Sequence, residues 1–182
     1  MPGTIWIGPT ECDEMREHRT KTVESIWIRL KPDLGLHLDL GNAVDFFREA
    51  QSCYQNGAFM ATALMCRSST ETAVYLALSR KRKGLETAID LDSIHEKWIG
   101  ILSQAKQSRL VDDNMEKMLE HTRRKGDFAA HYGQKFDQKI KQGQGIGRLW
   151  ISRVEAEEIL RQTAKILGLL REKLASVPTM TE

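Results

Sequence analysis

The chain reads AFMATALMCRSSTETAVYLALSRKRK from residue 58 to residue 83, and this stretch decides the fold class. Each residue of a helix advances by about 100°, so Ala63, Val74 and Leu78 fall within about 100° of Phe59 on one apolar face. The basic residues at the end precede a glycine, which is typical of a helix terminus. The stretch therefore predicts one long helix.

A charged pair lies within that apolar face. Arg67 and Glu71 fall at about 80° and 120° from Phe59, and they are spaced four residues apart. Charged groups in a core are costly unless they are paired and hydrogen-bonded. Two interpretations stay open: a buried ion pair that fixes the helix register, or a second shell that orients functional residues on a neighbouring helix.

Other stretches show the same helical spacing of apolar residues, with capping residues at their ends. We predict further helices from Asp39 or Asn42 to Asn56-Gly57, from about Leu91 to Ala105, from about Asp112 toward His131, and from near Ser152, with Glu155 in capping-box position. Short loops between these helices indicate an all-α bundle of four to five helices, with four long antiparallel helices as its core.

Three short segments, each centred on a tryptophan, do not fit the helical pattern. They are residues 4–7, 25–30 and 148–151, and their β-branched and aliphatic residues predict strands. We expect these strands to form a small accessory β-element, with residues 1–38 as an N-terminal extension on a bundle of residues 39–182. The glycines at 143, 145 and 147 are interpreted as a turn, because a phosphate-binding loop would need a preceding strand and a following helix.

Composition excludes several classes of protein. A chain of 182 residues with 41% apolar and 29% charged residues is ordinary for one globular domain. Three cysteines, at 12, 53 and 66, are odd in number and lack C-x-x-C spacing, which argues against a disulfide framework and a zinc site. Neither a signal peptide nor a membrane-length apolar run is present, so we predict a cytoplasmic protein with no membrane association.

The most informative stretch for function is Arg123-Arg124-Lys125-Gly126-Asp127-Phe128-Ala129-Ala130-His131. On a helix, Arg124, Asp127 and His131 fall within one narrow stripe. Such a stripe combines a fixed positive charge, an orienting acceptor and an imidazole. The small residues around it leave room for another backbone or a ligand. The alternative is an interhelical salt bridge beside a core histidine.

The charge of the chain is concentrated around this stretch. Residues 121–148 contain seven Lys/Arg against two Asp, a net charge of +5 within a chain of net charge +2. A basic patch of this kind suits a polyanion, although a solvated lysine-rich loop has the same composition. The candidate nucleic-acid-binding residues are Lys125, Lys135, Lys139, Lys141 and Arg148.

Three motifs carry a resemblance to a known family. They are Phe46-x-x-Glu49-Ala50, then Gly57-Ala58-Phe59 leading to Cys66-Arg67-x-x-x-Glu71, and Arg123-x-x-Gly126-Asp127-x-Ala129-Ala130-His131. Together they resemble a helical domain of unknown function grouped with the HEPN superfamily, over roughly residues 40 to 175. The resemblance implies a compact, often dimeric bundle, of the kind found in bacterial defence, toxin–antitoxin and RNA-processing systems.

The resemblance also implies site residues. The candidate catalytic residues are Arg123, Arg124, Asp127 and His131, with Arg67 and Glu71 as the supporting second shell. Arg123 matches the closer family pattern and Arg124 the broader one, so both stay open. Asp127 stands where that pattern has asparagine, and its charge could pair with either arginine.

The implied activity is RNA binding with metal-independent cleavage. His131 would move protons at a ribose 2′-hydroxyl or a leaving 5′-oxygen, and an arginine would stabilise the charge on the phosphate. One such histidine per protomer suits a symmetric homodimer. We predict no metal and no cofactor. The alternative is a non-catalytic helical module for dimerisation or partner binding, in which the same residues hold helices together.

Overall fold

The computed structural model describes residues 13–30, 34–81, 94–131 and 150–175. These residues form six helices, which we number α1 to α6 in chain order. Their bounds are Asp13–Leu30, Leu34–Gln55, Phe59–Lys81, Ile94–Gln107, Asp113–Ala130 and Arg153–Ala175. The predicted all-α helical bundle is confirmed, and no described helix is long and apolar enough to cross a membrane.

Helix α3 is the centre of the bundle and packs against α2, α4, α5 and α6. Its apolar residues Ala63, Val74 and Leu78 are buried, and so are its polar residues Ser69 and Thr72. The polar side of this helix is therefore covered by neighbouring helices as well. Ser69 satisfies its hydroxyl there by donating a 2.7 Å hydrogen bond to the carbonyl oxygen of Ala43 in α2.

The prediction of a strand at residues 25–30 is wrong, because these residues form the end of α1. Val23, Ile26 and Leu30 are spaced as one helical face and are all buried in the core. Trp27 packs edge-on against Phe47 of α2, with ring centroids 6.0 Å apart. Burial of this face therefore outweighs the β-propensity of the segment.

No strand occurs in the described ranges, so the accessory β-element is not seen there. The predicted strand at 4–7 lies outside those ranges, as do residues 148 and 149 of the third segment. Trp150 and Ile151 of that segment are described, and they belong to the irregular stretch before α6.

Capping side chains are present at the starts of α5 and α6, whereas the predicted helix start at Asp39 or Asn42 is wrong because both residues lie within α2. Helix α2 extends further toward the N-terminus than predicted, but it has a kink at Gly41, whose φ of +36° favours glycine. Asp112 caps α5 by accepting a hydrogen bond from the backbone N–H of Met115. At the start of α6, the backbone N–H of Ser152 donates to Glu155, and that of Glu155 donates to the Ser152 hydroxyl. This reciprocal pair is the predicted capping box.

Candidate functional site

Helix α5 presents two different chemical faces. Its buried residues Met115, Leu119, Thr122 and Gly126 lie on one side at helical spacing. The polar residues that border this buried side divide into two groups. One group pairs with α3, and the other faces a cleft beside the start of α6.

The first group forms a charge cluster, which we define as Arg67 and Glu71 of α3 with Arg123 and Asp127 of α5. Arg67 Nε donates to Glu71 Oε1 at 3.0 Å, and Arg67 Nη1 contacts Asp127 Oδ1 at 2.5 Å. Arg123 Nε lies 3.6 Å from Glu71 Oε1, and Arg123 Nη2 lies 3.9 Å from Asp127 Oδ2. The two cations therefore alternate with the two anions, and the cluster has no net charge.

Burial increases the energetic importance of this cluster. The side chains of Arg67 and Glu71 are 9% and 1% exposed, whereas those of Arg123 and Asp127 are half-buried. Interactions between charges are stronger where water is excluded, and an unpaired charge there is costly. The predicted buried Arg67–Glu71 pair is thus formed, and it also links α3 to α5.

Gly126 lies where α5 closely approaches α3. A Cβ atom at this position would lie 2.5 Å from Arg67 Cβ and 2.7 Å from Arg67 Cδ. Separations this short require atoms to move. The room left by this glycine is therefore filled by the aliphatic stem of Arg67, not by a ligand.

The second group lines what we call the α5–α6 cleft, which has a volume of about 580 Å³. Such a volume falls in the usual range of about 300–1,000 Å³ for small-ligand sites. The cleft is lined by His121, Arg124, Lys125, Asp127, Phe128, Trp150, Ile151 and Glu155. Asp127 also belongs to the charge cluster, so it lies on the border between the two groups.

One wall of the cleft is fixed by Lys125 and Glu155. Lys125 Nζ donates to Glu155 Oε1 at 2.8 Å, and the hydroxyl of Ser152 donates to Glu155 Oε2 at 2.7 Å. The hydrogen bond from Lys125, together with those from Ser152, lowers the pKa of Glu155 to about 2. Lys125 is therefore neutralised by a carboxylate that stays ionised, and it contributes little positive charge to the cleft.

Arg124 is the uncompensated cation of the cleft. The residue is exposed, and it has no ion pair or hydrogen bond within the ranges that the structure describes. Asp127 does not neutralise it, because Asp127 pairs with Arg67. The structure therefore separates the two arginines that the sequence left as alternatives: Arg123 belongs to the charge cluster, and Arg124 to the cleft.

His131 lies at the end of α5. Its backbone N–H donates to the carbonyl oxygen of Asp127, and the residue is exposed. A separation of seven residues places it about 10.5 Å along the helix axis from Arg124. Within the described part of the chain, its imidazole has no hydrogen-bond partner.

Of the five candidate nucleic-acid-binding residues, one lies within the described part of the chain. Lys135, Lys139, Lys141 and Arg148 lie outside the described residues, as do the glycines at 143, 145 and 147. Lys125 is described, and it pairs with Glu155.

Five of the residues that line the cleft were not assigned to the site from the sequence: His121, Phe128, Trp150, Ile151 and Glu155. His121 and Phe128 are seven residues apart, and Arg124 and Lys125 lie three and four residues after His121. This spacing places all four residues on one face of α5. This spacing was a signal in the sequence that could have found them. Trp150 comes from another segment, so no spacing within α5 indicates it.

The buried nucleophiles of the bundle do not extend this site. Burial raises the pKa of the Cys66 thiol to about 12, which keeps it protonated at neutral pH. Among the described residues, no group of three His, Cys, Asp or Glu side chains is placed to hold a metal ion.

Comparisons with known proteins add no assignment. No family model, no curated protein and no solved structure matches this chain.

Proposed function

We propose that this protein is a HEPN-like domain that binds RNA through the α5–α6 cleft. The observation that carries the proposal is the exposed Arg124 guanidinium, which has no partner among the described residues and shares its cleft with the exposed ring of Trp150. A guanidinium binds phosphate oxygens, and an aromatic ring stacks on bases. RNA offers both groups in every nucleotide.

The basic composition of residues 121–148 supports the same proposal. An excess of positive charge attracts a polyanion from a distance and releases condensed counterions on binding. Binding should therefore weaken steeply with added salt. Arg124 is expected to supply one of the phosphate contacts.

The test is a titration of labelled RNA with the full chain and with Arg124→Ala, followed by fluorescence anisotropy at salt concentrations of about 50 to 200 mM. Arg124→Ala should weaken binding for all RNA sequences and reduce the slope of log affinity against log salt by about 0.7 to 1. The matched control is Arg16→Ala, which removes an exposed arginine from α1. Absence of RNA binding at low salt would refute the proposal, as would equal effects of the two substitutions.

A second candidate activity is metal-independent cleavage, which the imidazole of His131 favours because it is exposed and bonds to none of the described residues. His131 would accept the proton of a ribose 2′-hydroxyl while that oxygen attacks phosphorus and the bond to the 5′-oxygen breaks. The leaving 5′-oxygen takes up a proton, which the second histidine of a symmetric homodimer would donate. Arg123 would stabilise the negative charge that develops on the phosphate, and Asp127 of the charge cluster would orient the Arg123 guanidinium.

Cleavage is tested by incubating the protein with mixed RNA in the presence of a chelator. His131→Ala should abolish product formation and leave RNA binding and the melting temperature nearly unchanged, because the residue is exposed. RNA binding without cleavage would leave the binding proposal intact.

The alternative proposal is a non-catalytic interaction module. The charge cluster favours it, because Arg123 and Asp127 hold α5 to α3 there. A protein that binds no RNA, and whose Arg123→Ala variant loses stability, would fit this alternative.

A further inference from the structure

We propose that Trp150 and His121 form a subsite for one unpaired nucleobase in the α5–α6 cleft, next to the phosphate position at Arg124. The inference rests on the proposed RNA binding and deepens it, because it assigns the residues that contact the base. Neither residue belongs to the Arg/Asp/His stripe or to the charge cluster.

Trp150 has the accessibility that a stacking platform needs. Its side chain is 61% exposed, whereas Trp98 of α4 is 1% exposed and donates its indole N–H to Glu120. An indole is among the largest apolar side chains, and its burial away from water is favourable. An indole that stays in water does not gain this free energy. A planar base on this ring would recover it.

The backbone that carries Trp150 is held in place. Ile151, the next residue, is 3% exposed and belongs to the hydrophobic core. Ser152 then forms the capping box with Glu155, and Glu155 is tied to α5 by Lys125. Because the backbone that follows Trp150 is already ordered, ligand binding does not have to order it, and that part of the entropy cost is avoided.

His121 supplies a polar group at the same cleft. Its Nδ1 lies 2.9 Å from Gln162 Oε1, and Gln162 Nε2 donates to Glu158 Oε1. The second bond assigns the orientation of the amide, so Nδ1 is the atom that donates to Oε1. In the neutral ring Nε2 is then an acceptor, and it has no partner among the described residues. This Nε2 atom can accept a hydrogen bond from the amino or imino N–H on the edge of a base.

The arrangement matches a single nucleotide. His121 and Arg124 are separated by three residues on one face of α5, and both line the cleft with Trp150. Trp150 would cover one face of the base, His121 would bind its edge, and Arg124 would bind a phosphate oxygen. A base inside a duplex has both faces covered by its neighbours, so the base must be unpaired.

The test compares two ligands of equal charge: an oligoadenylate of about eight nucleotides, within the usual site size of such proteins, and an abasic ribose-phosphate chain of the same length. The full chain should bind the oligoadenylate about tenfold more tightly, which is the usual effect of one stacked base. Trp150→Ala should lose most of this preference and keep only the part contributed by His121, whereas Trp150→Phe should keep most of the preference.

The matched control is Ile28→Ala, which removes an apolar side chain that is 74% exposed on α1 and should change neither affinity. Melting temperatures of the variants show that each one is folded. Salt-dependent binding without a preference for the oligoadenylate, or a preference that is undiminished in Trp150→Ala, would overturn the base subsite and leave RNA binding standing. No binding of either ligand would overturn the proposed function and the subsite together.

Discussion

The charge cluster and the α5–α6 cleft lie on the same helix but use their charged residues in opposite ways. In the cluster each cation faces an anion of the neighbouring helix, and the groups of α3 are almost fully buried. In the cleft Lys125 is compensated by Glu155, and Arg124 has no counterion within the described residues. The comparison teaches that the cluster stabilises the fold, whereas the cleft has binding capacity left for a ligand.

The largest expected effect comes from breaking the cluster with Glu71→Ala. Glu71 is 1% exposed and faces both Arg67 and Arg123, so its removal takes the buried anion from two guanidinium groups and leaves them only the half-buried Asp127 in the cluster. Loss of a buried ion-pair partner costs about 3–5 kcal/mol. Urea unfolding at neutral pH measures this loss.

The control for this experiment is Glu17→Ala, because Glu17 pairs with Lys21 on the surface of α1. Its removal should leave the free energy of unfolding nearly unchanged. A loss below about 0.5 kcal/mol for Glu71→Ala would show that the cluster contributes no stability.

A smaller loss is expected from Gly126→Ala. The added methyl group would overlap the stem of Arg67 and push α5 away from α3, at a cost of about 1–3 kcal/mol. Gly100→Ala in α4 is the matched control, because a Cβ atom there meets nothing within 4 Å. That substitution should stabilise the protein by up to about 1 kcal/mol, because alanine has the higher helix propensity. Equal effects at the two glycines would contradict the close approach at Gly126.

The cleft wall provides a test that depends on pH. The pKa of Glu155 is lowered from 4.5 to about 2, so the stability that it contributes is fully present above about pH 4.5. This contribution is lost as the pH falls from 4.5 toward 2. Glutamine can keep the capping-box bonds but not the charge that pairs with Lys125, so Glu155→Gln should cost up to about 1 kcal/mol at neutral pH, the range of a partly exposed ion pair, and less in acid. Melting temperatures measured across this range test the expectation.

The control for the acid experiment is Glu172→Gln, which changes an exposed carboxylate on the same helix. Glu155→Gln and the unaltered protein could instead lose stability in parallel between pH 4.5 and 2. The bonds of Glu155 to Lys125 and Ser152 would then not account for the loss of protein stability in acid.

The smallest effect on stability is expected from Arg124→Ala, which should stay within about 0.5 kcal/mol because the residue is exposed and pairs with none of the described residues. Its neighbour Arg123 contacts Glu71 and Asp127, so Arg123→Ala should destabilise the protein more. If the cleft is the binding surface, Arg124→Ala should lose more RNA affinity than Arg123→Ala. Unfolding and binding measured on both variants test the division of α5 into two faces, and a greater loss of stability in Arg124→Ala would refute it.

Several features of the fold were predictable because they depend on local chemistry. The capping box at Ser152 follows from residues three positions apart, and Asp112 caps α5 in the same way. The burial of Arg67 and Glu71 followed from their angle on an otherwise apolar helix face.

The error at residues 25–30 shows where local chemistry is insufficient. Their composition favours a strand, but Ile26 and Leu30 gain more by packing as one helical face against the core. Such a gain depends on residues distant in the chain, such as Phe47, which contacts Trp27. No local pattern contains that information.

The sequence by itself determined that the chain forms a helical bundle, because apolar spacing and capping act within a few residues. It also placed an arginine pair and a carboxylate near the end of α5. Only the tertiary structure decided which arginine is neutralised, because Arg123 and Arg124 differ by about 100° in direction and meet different neighbours. Arg123 contacts Glu71 on α3. Arg124 lies in the cleft beside Trp150, where no described residue neutralises its charge.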